Sequence, residues 1–345
     1  MTDGSSPVTV NRNRQWILSV RPAGRLTGEE FSWNEAPIPQ PTDGQVLIRI
    51  LWLSLDPAQR IWMSRDSYKP AVPLGTVMQS FAAGQVLESR HPDFEAGDFV
   101  RGDFGWQEYF VTDGAAFGGM HKIPPGVSPS LALSLFGVNG LTAYFGMKDV
   151  GRAEAGETVV VSGAAGATGS IAGQIAKVLG CRVVGTAGGR EKCDWLVKQA
   201  KFDAAIDYRS EDIGARLSAL CPKGIDVFFD NTGGPVLNEV LARINLRARI
   251  ALCGSISKSS PADPGPANYS NLTARRARME GFTGLDYPER VPEAFEALGR
   301  WRQEGRLALK EDVLVGLENA PRALLRLFSG ENFGKQLVKV ADATA

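Results

Sequence analysis

The stretch GAAGATG places Gly163, Gly166 and Gly169 three residues apart, between a β-branched run, TVVVS, and a segment patterned as a helix. In that segment, SIAGQIAKVLG, the apolar residues Ile171, Ile175, Val178 and Leu179 share one helical face, and Gly180 stands where a helix would stop. A strand entering a helix through a turn with almost no side chains lets backbone N–H groups approach a diphosphate closely. The helix N-terminus adds its partial positive charge. Gly163 is expected to make the turn, and Gly166, Ala167, Thr168 and Gly169 to present the amides. The spacing differs from the commoner GxGxxG, so the reading rests on the strand before it and the helix after it.

The next strand bears on which dinucleotide such a turn would hold. A site for the unphosphorylated coenzyme usually ends its second strand with an acid that bonds the ribose hydroxyls. Here that position reads CRVVGTAGGREK, with no acid before Glu191. Small residues, among them Gly188, leave space, and Arg190 and Lys192 supply positive charge. A 2′-phosphate carries nearly two negative charges that an acid would repel and these cations would attract. The expected cofactor is NADP(H).

The elements that must position this turn fall into two patterns. Early in the chain, GQVLIRILWLSLDP alternates apolar residues at Val46, Ile48, Ile50 and Trp52, and short pieces such as AAGQVLES, AGDFVRGDFGWQEYFV and HKIPPGV follow between Gly and Pro. Such spacing predicts a small barrel or sandwich. From Ser134 to about Gly305 buried strands alternate with helices: TVVVS, SIAGQIAKVLG, CRVVG, REKCDWLVKQA, AAIDY, DVFFD, PVLNEVLARI, ARIALC and PEAFEALGRWRQEG. The fold class is therefore α/β, a parallel sheet with helices on both faces joined to a β-rich domain. A helix, APRALLRLFSG, and a strand, KQLVKV, close the chain. The expected organisation is residues 1–133, 134–306 and a return segment, 307–345.

Composition limits the alternatives. Lys plus Arg and Asp plus Glu number 38 each, so no basic face for nucleic acid is implied. Cys181, Cys193, Cys221 and Cys253 form no CxxC pair, and His91 and His121 are the only histidines, which argues against a zinc site built on Cys and His. The opening MTDGSSPVTV lacks an apolar leader core, and no run approaches the ~18 apolar residues of a membrane span. A cytoplasmic protein with no membrane partner is the expectation.

With these pieces assembled, the chain resembles the medium-chain dehydrogenase/reductase superfamily. Within it the likeness is to the zinc-free branch of leukotriene B4 12-hydroxydehydrogenases, prostaglandin reductases, plant double-bond reductases and bacterial curcumin reductase. SLDPAQRIWM, GLTAYFG, AAGATGS, GQIAKVLGCRVVG, FDNTGG, GPANYSNL, RARMEGF and GENFGK carry the resemblance in order over most of the chain. It implies a GroES-like catalytic domain, a Rossmann domain, a homodimer, and reduction of the C=C bond of α,β-unsaturated ketones and aldehydes without metal. Zinc-using relatives carry a GHE-type His where this chain reads LGTVMQSFAAG. The resemblance also assigns Lys192 and Tyr208 to the 2′-phosphate, and Asn231 and Asn332 to the nicotinamide and phosphate side. It places the backbone around Phe282 and Thr283 at the carboxamide. Asn231 has a second reading as turn chemistry after DVFFD.

Delivering hydride to the β-carbon of an enone leaves an enolate that needs a hydrogen-bond donor and then a proton. Tyrosine serves both needs while staying neutral near pH 7. Tyr269, in a loop rich in Pro, Gly and Asn where the family places a functional Tyr, is the first candidate, and Tyr287 of GLDYPER the second; each has a packed or surface aromatic as its alternative. Relatives often carry Tyr where this chain has Trp52 and Ala58, which implies a wider and more apolar pocket; Arg60 is read as a structural brace. An NADPH quinone oxidoreductase is the rival enzyme, and a non-catalytic NADPH-binding protein the rival of another class.

Overall fold

The computed structural model describes residues 12–115, 117–257 and 264–344. The opening MTDGSSPVTV lies outside them. Contacts divide the chain into two units. The first runs to Ala132 and takes back Val313–Leu325 and the segment from Leu337 on; the second comprises Leu133–Asp312 and Arg326–Gln336.

The first unit is built from β1 (Arg12–Leu18), β2 (Phe31–Pro37), β3 (Val46–Ser54), α1 (Ala58–Ser64), β4 (Phe81–Ser89), β5 (Phe99–Asp103), β6 (Tyr109–Thr112) and β7 (His121–Lys122). β1 and β2 form an antiparallel pair. β3 pairs antiparallel with both β4 and β6. The alternation in β3 predicts one buried face, but Leu47, Leu51 and Leu53 are as buried as Ile48 and Ile50, so both faces of this strand carry core. In the same unit Lys69 and Asp103 form a 2.5 Å ion pair with side chains 3% and 5% exposed, and the Lys69 ammonium lies 4.3 Å from the Trp62 ring centroid.

After α2 (Pro129–Leu133) and α3 (Val138–Phe145), the second unit alternates strand and helix. Its elements are β8 (Thr158–Val161), α4 (Ala167–Val178), β9 (Arg182–Ala187), α5 (Arg190–Lys198), β10 (Ala204–Asp207), α6 (Ile213–Leu220), β11 (Ile225–Asp230), α7 (Gly234–Leu241), β12 (Ile244–Leu252), α8 (Ser270–Arg275), β13 (Arg278–Gly281) and α9 (Val291–Gln303). The sheet order is β10-β9-β8-β11-β12-β13, and every pair is parallel. The chain moves outward from β8 through β9 and β10, then crosses back to β11 on the other side of β8. The crevice beyond the C-terminal ends of β8 and β11 is thus the topological switch point, where ligands of open α/β sheets bind. The helix read over PVLNEVLARI ends at Leu241 instead, because Ile244 is already in β12 and opposite Ile225 of β11.

The chain closes with β14 (Glu311–Val315), α10 (Ala320–Ser329) and β15 (Lys335–Lys339). The return segment expected over 307–345 is divided between the units. Arg326–Gln336 stays with the second because Arg326 makes a two-bond ion pair with Asp312, at 3.0 and 2.9 Å, and Gly334 N–H donates to Ala165 O at 2.9 Å.

Candidate functional site

β8 delivers the chain to the glycine-rich turn as a buried strand, with Val159, Val160 and Val161 out of all solvent contact. Gly163 turns with φ +56°, a left-handed conformation that favours glycine. A Cβ on Gly169 would lie 2.4 Å from Gly163 O, so only glycine lets α4 start this close to the turn. α4 begins after Gly166 with no side-chain cap, and Ser170 N–H, from the fourth residue of the helix, donates to Gly166 O at 3.1 Å. The amides of Ala167, Thr168 and Gly169 therefore have no acceptor inside the helix, the arrangement that receives an anion. Asn139 donates to Thr168 Oγ1 at 3.1 Å. The GENFGK segment runs beside the turn through a parallel bridge between Gly166 and Gly334, with Asn332 Nδ2 donating to Gly334 O at 3.1 Å.

The second strand ends at the predicted opening. A Cβ on Gly188 would lie 2.6 Å from the Tyr208 hydroxyl and 2.9 Å from Arg209 Nε, so β9 and β10 bring Gly188, Tyr208 and Arg209 together. Lys192, from the first turn of α5, donates to Gly330 O at 2.8 Å, and Arg209 Nη2 donates to the same oxygen at 3.2 Å. Burial, and then the adjacent Arg209, pulls the Lys192 ammonium below the ordinary lysine value. Arg190 points to solvent. Asp207, the acid nearest the opening, is used by the backbone: it accepts from Gly189 N–H at 2.7 Å and Arg209 N–H at 3.0 Å. Sequence reasoning missed Arg209. Its signal was available as a second cation beside Tyr208 in IDYRSED, but only the β9–β10 register, which sets Asp207 opposite Ala187, places it here.

At the end of β11 the fully buried Asp230 organises the next loop. Its Oδ1 accepts from Ser162 Oγ at 2.7 Å and from the amides of Thr232 and Gly233, both at 2.9 Å, and burial holds its carboxyl above the usual carboxylate range. Asn231 Nδ2 donates to Ser162 O at 2.7 Å, the turn geometry of its second reading. Beyond β13, the Phe282 ring packs edge-on to Phe229 with centroids 6.1 Å apart and lies where a Cβ on Gly146 would be. Thr283 and Asp286 form a reciprocal capping box. Tyr287 stacks on Phe145 at 4.2 Å and 12°, and burial raises its phenol above the ordinary tyrosine value. Tyr269 is 65% exposed; its loop is fixed by Asn268 Nδ2, which donates to Asn238 O at 2.8 Å. The second unit thus gathers the turn, the Lys192–Tyr208–Arg209 group and the Asn332 segment, and leaves the Tyr269 side chain open.

Residues 14–120 match the family described as the N-terminal domain of oxidoreductase, and residues 167–300 match the family described as zinc-binding dehydrogenase. The chain is 41% identical over 338 residues to an NADPH-dependent curcumin reductase of Escherichia coli (strain K12), covering 96% of this chain and 97% of that one. It is 41% identical over 301 residues to a 2-alkenal reductase (NADP(+)-dependent) of Nicotiana tabacum, covering 86% and 87%. A solved structure of CurA in complex with NADPH from Vibrio vulnificus superposes with a TM-score of 0.90 at 39% identity, covering 96% of this chain and all of that one.

Proposed function

The chain belongs to the NADP-dependent double-bond reductase family of medium-chain dehydrogenases/reductases, and on that premise we propose how its residues divide the work. The protein is an NADPH-dependent enone reductase: it reduces the C=C bond of α,β-unsaturated ketones and aldehydes. Bound NADPH supplies the hydride.

The residues present fit that cofactor. Gly169 and Gly163 keep side chains out of the turn, and Ala167, Thr168 and Gly169 offer amides to the diphosphate. Tyr208 and Arg209 lie against Gly188, Lys192 shares the Gly330 carbonyl with Arg209, and these three are assigned to the 2′-phosphate; this convergence of two cations and a phenol, with Asp207 tied to backbone amides, is the observation that carries the reading. Arg190, exposed at the helix start, contributes charge at longer range. Asn332 and Asn231 hold the loops on the phosphate and nicotinamide sides, and the backbone at Phe282 and Thr283 holds the carboxamide. Tyr269, exposed on an anchored loop, donates to the enolate oxygen and supplies or relays the proton. The Tyr287 ring, committed to its stack on Phe145, supports the carboxamide segment from behind.

Zinc is left out of the proposed reaction because LGTVMQSFAAG offers neither Cys nor His. Among the described residues no helix is long and apolar enough to cross a membrane. A cytoplasmic homodimer acting on small molecules completes the proposal.

The test is anaerobic oxidation of NADPH against a panel of alkenals, cyclic enones and quinones, with the products analysed. Saturated carbonyl products from the alkenals and enones are expected. Turnover of quinones with no alkenal reduction would favour a quinone oxidoreductase, and tight NADPH binding with no turnover would leave only a binding protein.

A further inference from the structure

Arg290 occupies a position that cofactor binding does not explain. It ends a short 3-10 turn, Pro288–Arg290, immediately before α9. Its Nη1 donates to Asp149 Oδ1 at 2.6 Å, while Nε and Nη2 donate to the two oxygens of Glu293 at 2.9 and 3.1 Å. The guanidinium carbon also lies 5.2 Å from the Phe145 ring centroid and 5.9 Å from that of Tyr287, so one cation caps the edge of the stacked pair. Glu293 in turn accepts from the Tyr144 hydroxyl at 2.7 Å, and Lys148 donates to that hydroxyl at 2.9 Å. Asp149 and Lys148 belong to a π-turn, Gly146–Val150, that widens the end of α3. Such π-bulges recur at functional sites.

These contacts join the end of α3 to one end of the segment that follows β13. The other end is fixed differently. Phe282 fills the space left at Gly146, and Gly284 approaches so closely that a Cβ there would lie 2.7 Å from Thr142 N. The segment is therefore held by packing at Phe282–Gly284 and by charge and stacking at Tyr287–Arg290. The Arg290 side chain is 41% exposed, yet it pairs with Glu293 through two bonds and shares one network with Asp149, Tyr144 and Lys148, the geometry in which an exposed ion pair holds its side chains in a single orientation.

We propose that Arg290 is a positioning residue for hydride transfer: through Asp149, Glu293 and the Phe145–Tyr287 stack it fixes the Phe282–Thr283 backbone, and so the orientation of the nicotinamide that this backbone holds. The inference rests on the carboxamide role proposed above for Phe282 and Thr283. Arg290, its hydrogen bonds committed to Asp149 and Glu293, acts through the loop.

Arg290→Gln, Arg290→Lys and Tyr287→Leu are compared with the unaltered protein for enone kcat, NADPH Kd, melting temperature and transfer of label from NADPH carrying deuterium on either face of C4. For Arg290→Gln, kcat falls by about tenfold to a hundredfold, since small misplacement of reacting atoms costs that much. NADPH Kd, set by the distant phosphates, stays within about threefold, and label also leaks from the normally silent face. Arg290→Lys recovers part of the rate, and Tyr287→Leu reproduces the leak. A folded Arg290→Gln protein with unchanged kcat and intact facial selectivity overturns the proposal. If Arg290→Gln fails to fold, normal rate and selectivity in Tyr287→Leu overturn it equally. Loss of rate that tracks only a falling melting temperature would mean a structural role and would also overturn it. Failure of the unaltered protein to reduce any enone would instead sink the functional reading.

Discussion

Removing the Lys192 ammonium should separate the two nicotinamide cofactors. Lys192 Nζ and Arg209 Nη2 both donate to Gly330 O, at 2.8 and 3.2 Å, so the carbonyl end of α10 holds two cations that a 2′-phosphate can recruit. A hydrogen bond to a charged group contributes about 1.5–3 kcal/mol net. Lys192→Ala should therefore weaken NADPH binding about tenfold to a hundredfold and change NADH binding by less than about twofold. Arg209 is exposed, so Arg209→Ala should cost less, about threefold to tenfold. The double variant should lose less than the product of the two, because each cation disfavours the other before phosphate arrives. The sign with pH follows from the lowered Lys192 value. As pH rises the ammonium is lost earlier than in an ordinary lysine, so NADPH affinity falls early in the alkaline range while NADH affinity does not, and Arg209→Ala moves that fall to higher pH. Fluorescence titration of both cofactors from neutral to alkaline pH measures all of this. Equal losses for NADPH and NADH in Lys192→Ala would refute the 2′-phosphate assignment.

Three further outcomes are expected. Tyr269→Phe should lower enone kcat at least tenfold with NADPH Kd unchanged; steady-state rates across several enones check it, and an unaltered kcat removes the donor role. Gly169→Ala would put a Cβ 2.4 Å from Gly163 O, so cofactor binding should fall sharply and stability drop by about 1–3 kcal/mol, read by titration and thermal melting. Lys69→Met should destabilise the protein by about 3–5 kcal/mol because Asp103 is left buried without its cation, whereas adding Asp103→Leu should recover most of the loss. Denaturant melts of the single and double variants decide it.

Much of the site was legible because its parts are local. GAAGATG carries its strand, turn and helix within one stretch of chain, and Lys192 follows Gly188 by one turn of helix. What escaped the sequence depends on pairing between distant segments. Arg209 reaches Gly188 only because β10 lies beside β9, and both cations meet Gly330 only because 326–336 returns to the glycine-rich turn. Asp230 read as the end of a buried strand; that its carboxyl gathers Ser162, Thr232 and Gly233 needs β8 and β11 as neighbours. The Tyr287 stack was equally hidden, since nothing in GLDYPER refers to Phe145. In β3 the alternation of the larger aliphatics concealed a second core face formed by Leu47, Leu51 and Leu53.

The most direct measurement follows the hydride itself. NADPH deuterated on its transferred face is oxidised anaerobically by the protein with an α,β-unsaturated ketone, and the product is read by NMR. C=C reduction by NADPH should leave deuterium on the β-carbon of a saturated ketone whose carbonyl is intact. Deuterium on a carbinol carbon, or no transfer from NADPH with efficient transfer from NADH, would contradict it.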